Sequence, residues 1–149
     1  MLAVCEKNSC LEKYESAGNG TVLVLEYSDT FVKSWSVVTA IHLPSETADF
    51  DDYSGMDVRS DGTIAVVSQQ SAKLWIGQLD FASWTIQPPG DESAGTTYDF
   101  PTVDGEVVFC NVEGVSFLDN DHIVVATDQN SQAPCRQYSE RVATFTIPS

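Results

Sequence analysis

The residues best suited to chemistry are carboxylates and amides that stand beside predicted strands. Asn111, Glu113 and Asp128 offer the oxygen atoms that hard cations prefer. Asp51 and Asp52 form a second acidic group, in a loop that leads into an equivalent strand. The sequence therefore predicts a ligand or metal site at these positions, with Glu113 as the leading residue. The alternative is that Glu113 hydrogen-bonds backbone at a turn and that the Asp-rich loop is simply solvated.

No motif of an established catalytic class accompanies these residues. The chain has no GxSxG elbow, no P-loop and no HExxH pair. Ser54-Gly55 precedes a predicted strand rather than a helix, so it is not a nucleophile elbow. His42 and His122 are isolated in the sequence. The sequence therefore predicts no catalytic residue and leaves open whether the protein is an enzyme.

The cysteines favour disulfide bonds over a metal site. Their spacing contains no CxxC pair, and no histidine stands at a zinc-binding distance from them. Two cysteines lie close together near the start of the chain and two lie near its end, which predicts the bridges Cys5–Cys10 and Cys110–Cys135. The sequence alone does not fix the connectivity. Asn19 begins an N-glycosylation sequon. Together these features favour an extracellular or periplasmic protein.

The net charge of the chain indicates which classes of binding partner to expect. The chain of 149 residues has 22 acidic and 7 basic residues, a net charge of −15. Binding to nucleic acid needs clustered Lys and Arg, and anionic membranes attract basic segments, so neither partner is expected. No apolar run is long enough to insert into a membrane. The chain carries no signal peptide and starts inside a strand-like segment, which predicts a fragment.

An internal repeat predicts the architecture. Residues 53–68 align without a gap on residues 112–127, an offset of 59 (112 minus 53). Each copy reads as strand, tight turn, strand, with Asp61-Gly62 or Asn120-Asp121 at the turn. Apolar positions alternate on both sides of the turn and predict a core, made of Met56, Val58, Ile64, Val66, Val115, Phe117, Ile123 and Val125.

Ten predicted strands fall into three groups and leave no convincing helix. The groups are a partial blade at 1–43, a complete blade at 53–88 and a partial blade at 110–148, joined by loops at 44–49 and 88–95. Repeats of this length with four strands are typical of β-propeller blades. We therefore expect an all-β, partial β-propeller of about two and a half four-stranded antiparallel blades, forming one segment over 1–149. A β-sandwich also has about ten strands but does not explain the repeat.

Several segments carry a resemblance to known proteins. Residues 5–10, 98–101 and 110–115 resemble a group of uncharacterised secreted propeller-like proteins. More loosely, Ser54-Gly55-Met56 and Glu113-Gly114-Val115, with the turns that follow them, are similar to blades of esterase-like phytases and gluconolactonase-type lactonases. The second likeness implies that Glu113 is a calcium ligand at the central channel.

The sequence is compatible with two functions. The first is a propeller segment whose loops bind a partner or a small ligand. The second is a calcium-dependent hydrolase of lactonase or esterase type. In either case the partial blades leave unpaired strand edges, so we expect missing propeller blades or another chain to cover them.

Overall fold

The computed structural model describes residues 1–6, 20–87, 95–129, 135 and 140–148, and this part of the chain is all-β. The strands are β1 (Leu2–Val4), β2 (Thr21–Ser28), β3 (Ser34–His42), β4 (Gly55–Val58), β5 (Thr63–Ser68), β6 (Lys73–Asp80), β7 (Thr85–Ile86), β8 (Thr96–Asp99), β9 (Thr102–Val103), β10 (Glu106–Val107), β11 (Val112–Phe117), β12 (His122–Thr127) and β13 (Val142–Thr146). The expectation of an all-β chain is confirmed.

The strands form three larger antiparallel sheets and one short hairpin. Sheet 1 has the order β1-β2-β3, and sheet 3 has the order β11-β12-β13. Sheet 2 has the order β4-β5-β6-β7, with β8 also paired to β6. Strands β9 and β10 form the hairpin between sheets 2 and 3. Apart from β8, the strands that pair within each large sheet are consecutive along the chain.

The two repeat copies fold through equivalent turns. Gly62 adopts a φ of +88°, and a Cβ there would collide with the carbonyl oxygen of Leu79. The Asp61 carboxylate accepts a hydrogen bond from the amide of Thr63. In the second copy Asp119 accepts from the amides of Asp121 and His122. Short acidic side chains thus close both turns by bonding backbone amides just ahead of them.

Sheet 2 is covered on both faces, and the core consists of two clusters. One cluster joins sheets 1 and 2, with Val22, Ile64 and Trp75 among its fully buried members. The other joins sheets 2 and 3 and includes Val67 and Ile123. Strand β5 is therefore buried on both sides. Of the predicted core, Ile64, Val66, Val115, Ile123 and Val125 are buried, and Met56, Val58 and Phe117 pack partly buried against the clusters.

Strands β4 and β11 lie side by side with repeat-equivalent residues in contact. The Asp57 carboxylate accepts hydrogen bonds from the hydroxyl of Ser116 at 2.8 Å and from the amide of Phe117 at 2.9 Å. Asp57 and Ser116 are one repeat length apart, 59 residues. A Cβ built on Gly55 would lie 2.9 Å from the Cα of Gly114, its own repeat equivalent. The two copies therefore pack in register, as units related by a simple rotation would.

The structure has thirteen strands in the described residues, where the sequence predicts ten. Strand β8 pairs with the first half of β6 and β7 with its end, so both occupy the same edge of sheet 2. Sheet 2 thus extends past residue 88, and the β9–β10 hairpin belongs to the connection that follows. Among the described residues the sheets do not close into a ring or barrel. The partial propeller therefore stays a prediction.

Candidate functional site

Asp52 is a fully buried carboxylate at the start of the segment that leads into β4. Its Oδ1 accepts a hydrogen bond from the hydroxyl of Ser68 at 2.6 Å and another from the amide of Gln70 at 2.9 Å. Its Oδ2 is buried and has no hydrogen-bond partner in the described part of the chain. A buried acceptor without a partner costs about 1–3 kcal/mol, and more when it is charged. The described residues therefore supply no donor for this oxygen.

The surrounding loop holds Asp52 in place. The Ser68 hydroxyl accepts from the amide of Ser71, and the Ser71 hydroxyl accepts from the amide of Asp51. Tyr53 donates its hydroxyl proton to the carbonyl of Ala48 at 2.8 Å. Burial, with nearby Asp49 and Asp52, raises the pKa of Tyr53, so its hydroxyl stays a neutral donor. These bonds tie the loop after sheet 1 to the end of β5.

Glu113 lies at an irregularity of strand β11. Val112 pairs with Thr127 and Gly114 with Ala126, so Glu113 is the extra residue of a β-bulge. Bulges redirect side chains and are common next to functional sites. The Glu113 side chain is exposed at the surface, and limited desolvation, followed by the carboxylates of Asp128, Glu6 and Asp52, raises its pKa. Four carboxyl groups therefore share this end of the inner strands, and Glu113 takes up a proton more readily than an isolated glutamate.

Asn111 and Asp128 close the same end of sheet 3. Asn111 adopts a left-handed backbone with φ of +56°, which asparagine tolerates. Its carbonyl accepts from the amide of Asp128 at 2.9 Å, and its side-chain amide donates to the carbonyl of Gln129 at 3.1 Å. The Asp128 carboxylate accepts from the amide of Gln129 at 2.6 Å. These bonds fix Asp128 beside the bulge that carries Glu113.

The structure brings together part of the predicted site and adds one residue. The Glu113 carboxyl group interacts electrostatically with Asp128 and with Asp52. The side chain of Asp51 is exposed, and its amide donates to the hydroxyl of Ser71. Glu6 is the residue that the sequence analysis missed. Its carbonyl accepts from the amide of Tyr53, which places it at the site. No local pattern indicates this contact, because Glu6 follows β1 of sheet 1 and Tyr53 precedes β4 of sheet 2.

A resident metal ion does not fit the side chains as they stand. Within the described ranges, no group of three or more His, Cys, Asp or Glu residues is arranged to hold a metal. Calcium takes six to eight oxygen ligands. Among the described residues the acidic side chains therefore do not form a preformed metal cage.

One of the two predicted disulfides is present. Cys110 and Cys135 are bonded, with their Cα atoms 5.4 Å apart. Cys5 is buried and does not carry a free thiol, and its predicted partner Cys10 lies outside the described residues. The same holds for Asn19, the candidate glycosylation site.

The part of the chain that the structure describes contains no helix that could cross a membrane. No known protein family, curated protein or solved structure matches the chain.

Proposed function

We propose that the chain is a β-propeller segment that binds a small ligand at the shared end of β4 and β11. Asp52, Glu113 and Asp128 supply the acceptors, together with Glu6. The observation that carries the proposal is the buried Asp52 Oδ2, which has no hydrogen-bond partner among the described residues and whose carboxyl group contributes to the raised pKa of Glu113. Buried polar groups without a partner are rare in folded proteins, and groups with perturbed pKa values cluster at functional sites.

The stacking of the sheets supports the propeller part of the proposal. Two copies of one repeat pack with their inner strands in register, and sheet 2 is covered on both faces by sheets of similar strand order. Propellers arrange four-stranded sheets in this way around a central channel. On that arrangement the ends of β4 and β11 line the mouth of the channel, and further blades or another chain complete the ring.

The chemistry of the site favours a ligand that donates hydrogen bonds and carries positive charge. Every polar side chain assigned to it is an acceptor when ionised, and the chain as a whole has a net charge of −15. A primary ammonium group fits an orphaned carboxylate oxygen with a second carboxyl group nearby. Binding relieves the unsatisfied Oδ2 and lowers the pKa of Glu113, because a cation favours its ionised form.

A calcium-dependent hydrolase of lactonase or esterase type is the second candidate. It rests on the resemblance of the repeat to lactonase-type blades and on the oxygen atoms of Asn111, Glu113 and Asp128. The described side chains do not form a three-ligand cluster. Calcium would therefore need backbone oxygens or ligands from other blades to complete its shell.

An extracellular or periplasmic location accompanies both candidates. The Cys110–Cys135 bond is compatible with an oxidising compartment, and the sequon at Asn19 has the same implication. Mass spectrometry of the exported protein under non-reducing conditions tests this proposal. Four free thiols in that material would contradict it.

The binding site is tested by NMR titration with calcium chloride and, separately, with methylammonium chloride. We expect methylammonium to shift the amide signals of Gln70 and Gly114 in the wild type, and Glu113→Gln to weaken the shifts. Glu106→Gln, the same change at an exposed position in the β9–β10 hairpin, is the matched control and should behave as wild type. Shifts with calcium alone would favour the hydrolase. The absence of shifts with either cation at high millimolar concentration would contradict the binding site.

A further inference from the structure

Four turns lie together at the end of the sheets that is opposite the candidate site. They join consecutive strands of the three large sheets, at residues 29–33, 59–62, 81–84 and 118–121. The carbonyl of Gly62 accepts from the amide of Leu79, which sets the second of these turns beside the end of β6. The guanidinium of Arg59 donates to the side-chain oxygen of Asn120 at 2.6 Å and so connects the turns of sheets 2 and 3. We call these four turns the turn end.

Sheet 1 is oriented in the same way as the other two sheets. The carbonyl of Glu6, just after β1, accepts from the amide of Tyr53, just before β4, so β1 ends beside the candidate site. Strand β2 is antiparallel to β1 and runs away from that site, with Val22 opposite Val4. The turn that follows β2, at 29–33, therefore lies at the same end as the other three turns.

The turn end and the candidate site are separate surfaces. Strand β5 starts at Thr63, next to the turn 59–62, and ends at Ser68, whose hydroxyl donates to Asp52. Its six residues span roughly 20 Å. Neighbouring sheets stack on the faces of a sheet and leave its ends uncovered. Further propeller blades would therefore not hide the turn end.

The turn end exposes large apolar side chains, although turns ordinarily carry Gly, Pro, Asn, Asp or Ser. In the turn of sheet 1, Phe31 is fully exposed and Val32 is 66% exposed. In sheet 2 Phe81 is 38% exposed, and in sheet 3 Leu118 is 58% exposed. A single exposed apolar residue is normal on a protein surface. A large one at the same end of three adjacent sheets marks an interaction surface.

An aspartate stands close to an exposed apolar residue in each sheet. The pairs are Asp29 with Phe31, Asp80 with Phe81, and Asp119 with Leu118. Amide or hydroxyl donors within the same turn hydrogen-bond the carboxylates of Asp80 and Asp119. These bonds lower the pKa of both carboxyl groups, so both stay ionised at neutral pH. Each sheet therefore places a large apolar side chain near a negative charge.

The turn end as a whole is acidic. Together with Asp80, which precedes the third turn, it contains five aspartates, one lysine and one arginine, so five negative and two positive charges leave a charge of −3. Both bases already contact aspartates, since Lys33 lies 3.7 Å from Asp29 and Arg59 lies 2.8 Å from Asp61. The net charge of the whole chain, −15, has the same sign. Electrostatic complementarity therefore favours a positively charged partner and disfavours a second copy or an anionic surface.

We propose that the turn end binds a basic amphipathic segment of a partner protein. Apolar side chains of that segment contact Phe81 and Leu118, and its lysine or arginine side chains reach Asp80 and Asp119. Phe31 extends the apolar contact to sheet 1. The apolar contacts supply most of the affinity, and the charges select a basic partner and speed its encounter with the chain. This surface is distinct from the small-ligand site at the other end of the strands.

Isothermal titration calorimetry of the full chain with three synthetic peptides tests the chemistry of the partner. The first peptide alternates lysine with leucine, the second has glutamate in place of every lysine, and the third has serine in place of every leucine. We expect the first to bind, with an affinity that falls as salt is raised, and the second not to bind. The third should bind about tenfold more weakly or less, because it makes no apolar contacts.

Three outcomes of this titration would overturn the proposal. Equal binding of the first and third peptides would reduce the contact to general attraction by net charge. Absence of binding of the first peptide would exclude a basic amphipathic partner. Binding of phosphatidylcholine vesicles in place of the peptide would assign the exposed apolar side chains to a neutral lipid surface.

Variants locate the contact on the chain. Phe31→Ser and Leu118→Ser remove exposed apolar side chains from the turn end, and Val142→Ser makes a similar change at a 72% exposed position near the opposite end of sheet 3. Asp119→Asn removes one charge and keeps an oxygen for the turn amides. Glu106→Gln, in the exposed β9–β10 hairpin, is its control. Circular dichroism melts establish that every variant folds.

The expected losses of affinity for the lysine–leucine peptide follow the contacts. Phe31→Ser and Leu118→Ser should each lose about fivefold or more, the effect of an apolar residue at the centre of an interface. Asp119→Asn should lose about two- to fivefold, the effect of an exposed ion pair. The two controls should bind as wild type. Serine variants of the turn end that bind as tightly as Val142→Ser would place the peptide elsewhere and overturn the proposal.

Discussion

The two copies of the repeat share a backbone but differ in the chemistry at their ends. In the first copy Asp52 is buried and its Oδ1 accepts from Ser68 and Gln70, while its Oδ2 has no hydrogen-bond partner in the part of the chain that the structure describes. The equivalent residue of the second copy, 59 positions later, is Asn111, whose amide donates to Gln129. The strands depend on the alternating apolar residues and on the turns. The polar residues at the strand ends can therefore differ between the two copies. The charged end is therefore where function is expected.

The largest effects should come from the shared core and should be similar in both copies. Ile64 and Ile123 are equivalent and fully buried, each in its own cluster. Truncation of either to alanine should lower the free energy of unfolding by about 2–5 kcal/mol. Chemical denaturation measures this loss. Leu118→Ala, at an exposed position, is the control, and a loss of under about half a kcal/mol at either isoleucine would mean that the strand register is wrong.

The equivalent glycines should respond differently, because their neighbours differ. A Cβ on Gly55 would lie 2.8 Å from the carbonyl oxygen of Glu113, a backbone atom that cannot easily move aside. A Cβ on Gly114 would meet only the Cβ of Ala126, at 3.8 Å. Gly55→Ala should therefore cost about 1–3 kcal/mol, and Gly114→Ala should be nearly neutral. Equal costs in urea unfolding would argue against the close packing of β4 on β11.

Replacing Asp52 with asparagine, the residue at the equivalent position 111, retains the hydrogen bonds that Asp52 accepts. Asp52→Asn keeps an acceptor oxygen for Ser68 and Gln70 and removes the buried charge, so stability should hold or rise. Asp52→Ala leaves both donors without an acceptor and should cost about 1–3 kcal/mol. Thermal melts compare the pair. If the asparagine variant is as unstable as the alanine variant, the charge itself is structural, and the proposal of a ligand acceptor at Asp52 loses its support.

The smallest expected effect is the change in protein stability with pH that the Glu113 carboxyl group causes. Its pKa is raised in the folded protein above the ordinary value of 4.5, chiefly by desolvation. The folded state then holds the proton more tightly than the unfolded state, so stability falls as pH rises from about 4.5 through the folded pKa. Glu113→Gln abolishes this loss. Its melting temperature should exceed that of wild type near neutral pH, with a smaller difference at pH 4, and the opposite order would contradict the raised pKa.

Local patterns in the sequence account for much of the fold and for less of the site. Alternation and the Asp61-Gly62 turn sufficed to predict β4, β5 and their equivalents. Strand β8 was missed because the polar segment Thr96–Asp99 becomes a strand only by pairing with β6. Glu113 and Asp128 were recognised from their positions beside strands. The burial of Asp52 and the approach of Glu6 depend on contacts between distant segments, which no local pattern shows.

The central claim, that the two repeat copies pack in register, is tested most directly by a double-mutant cycle on Asp57 and Ser116. These repeat-equivalent residues are hydrogen-bonded across β4 and β11 at 2.8 Å. Unfolding free energies of Asp57→Ala, Ser116→Ala and the double variant should give a coupling of about 0.5–1.5 kcal/mol, the value of a hydrogen bond. The same cycle with Thr144, which lies on β13 two strands away from Ser116, should give no coupling. A coupling between Asp57 and Ser116 that is indistinguishable from zero would contradict the account.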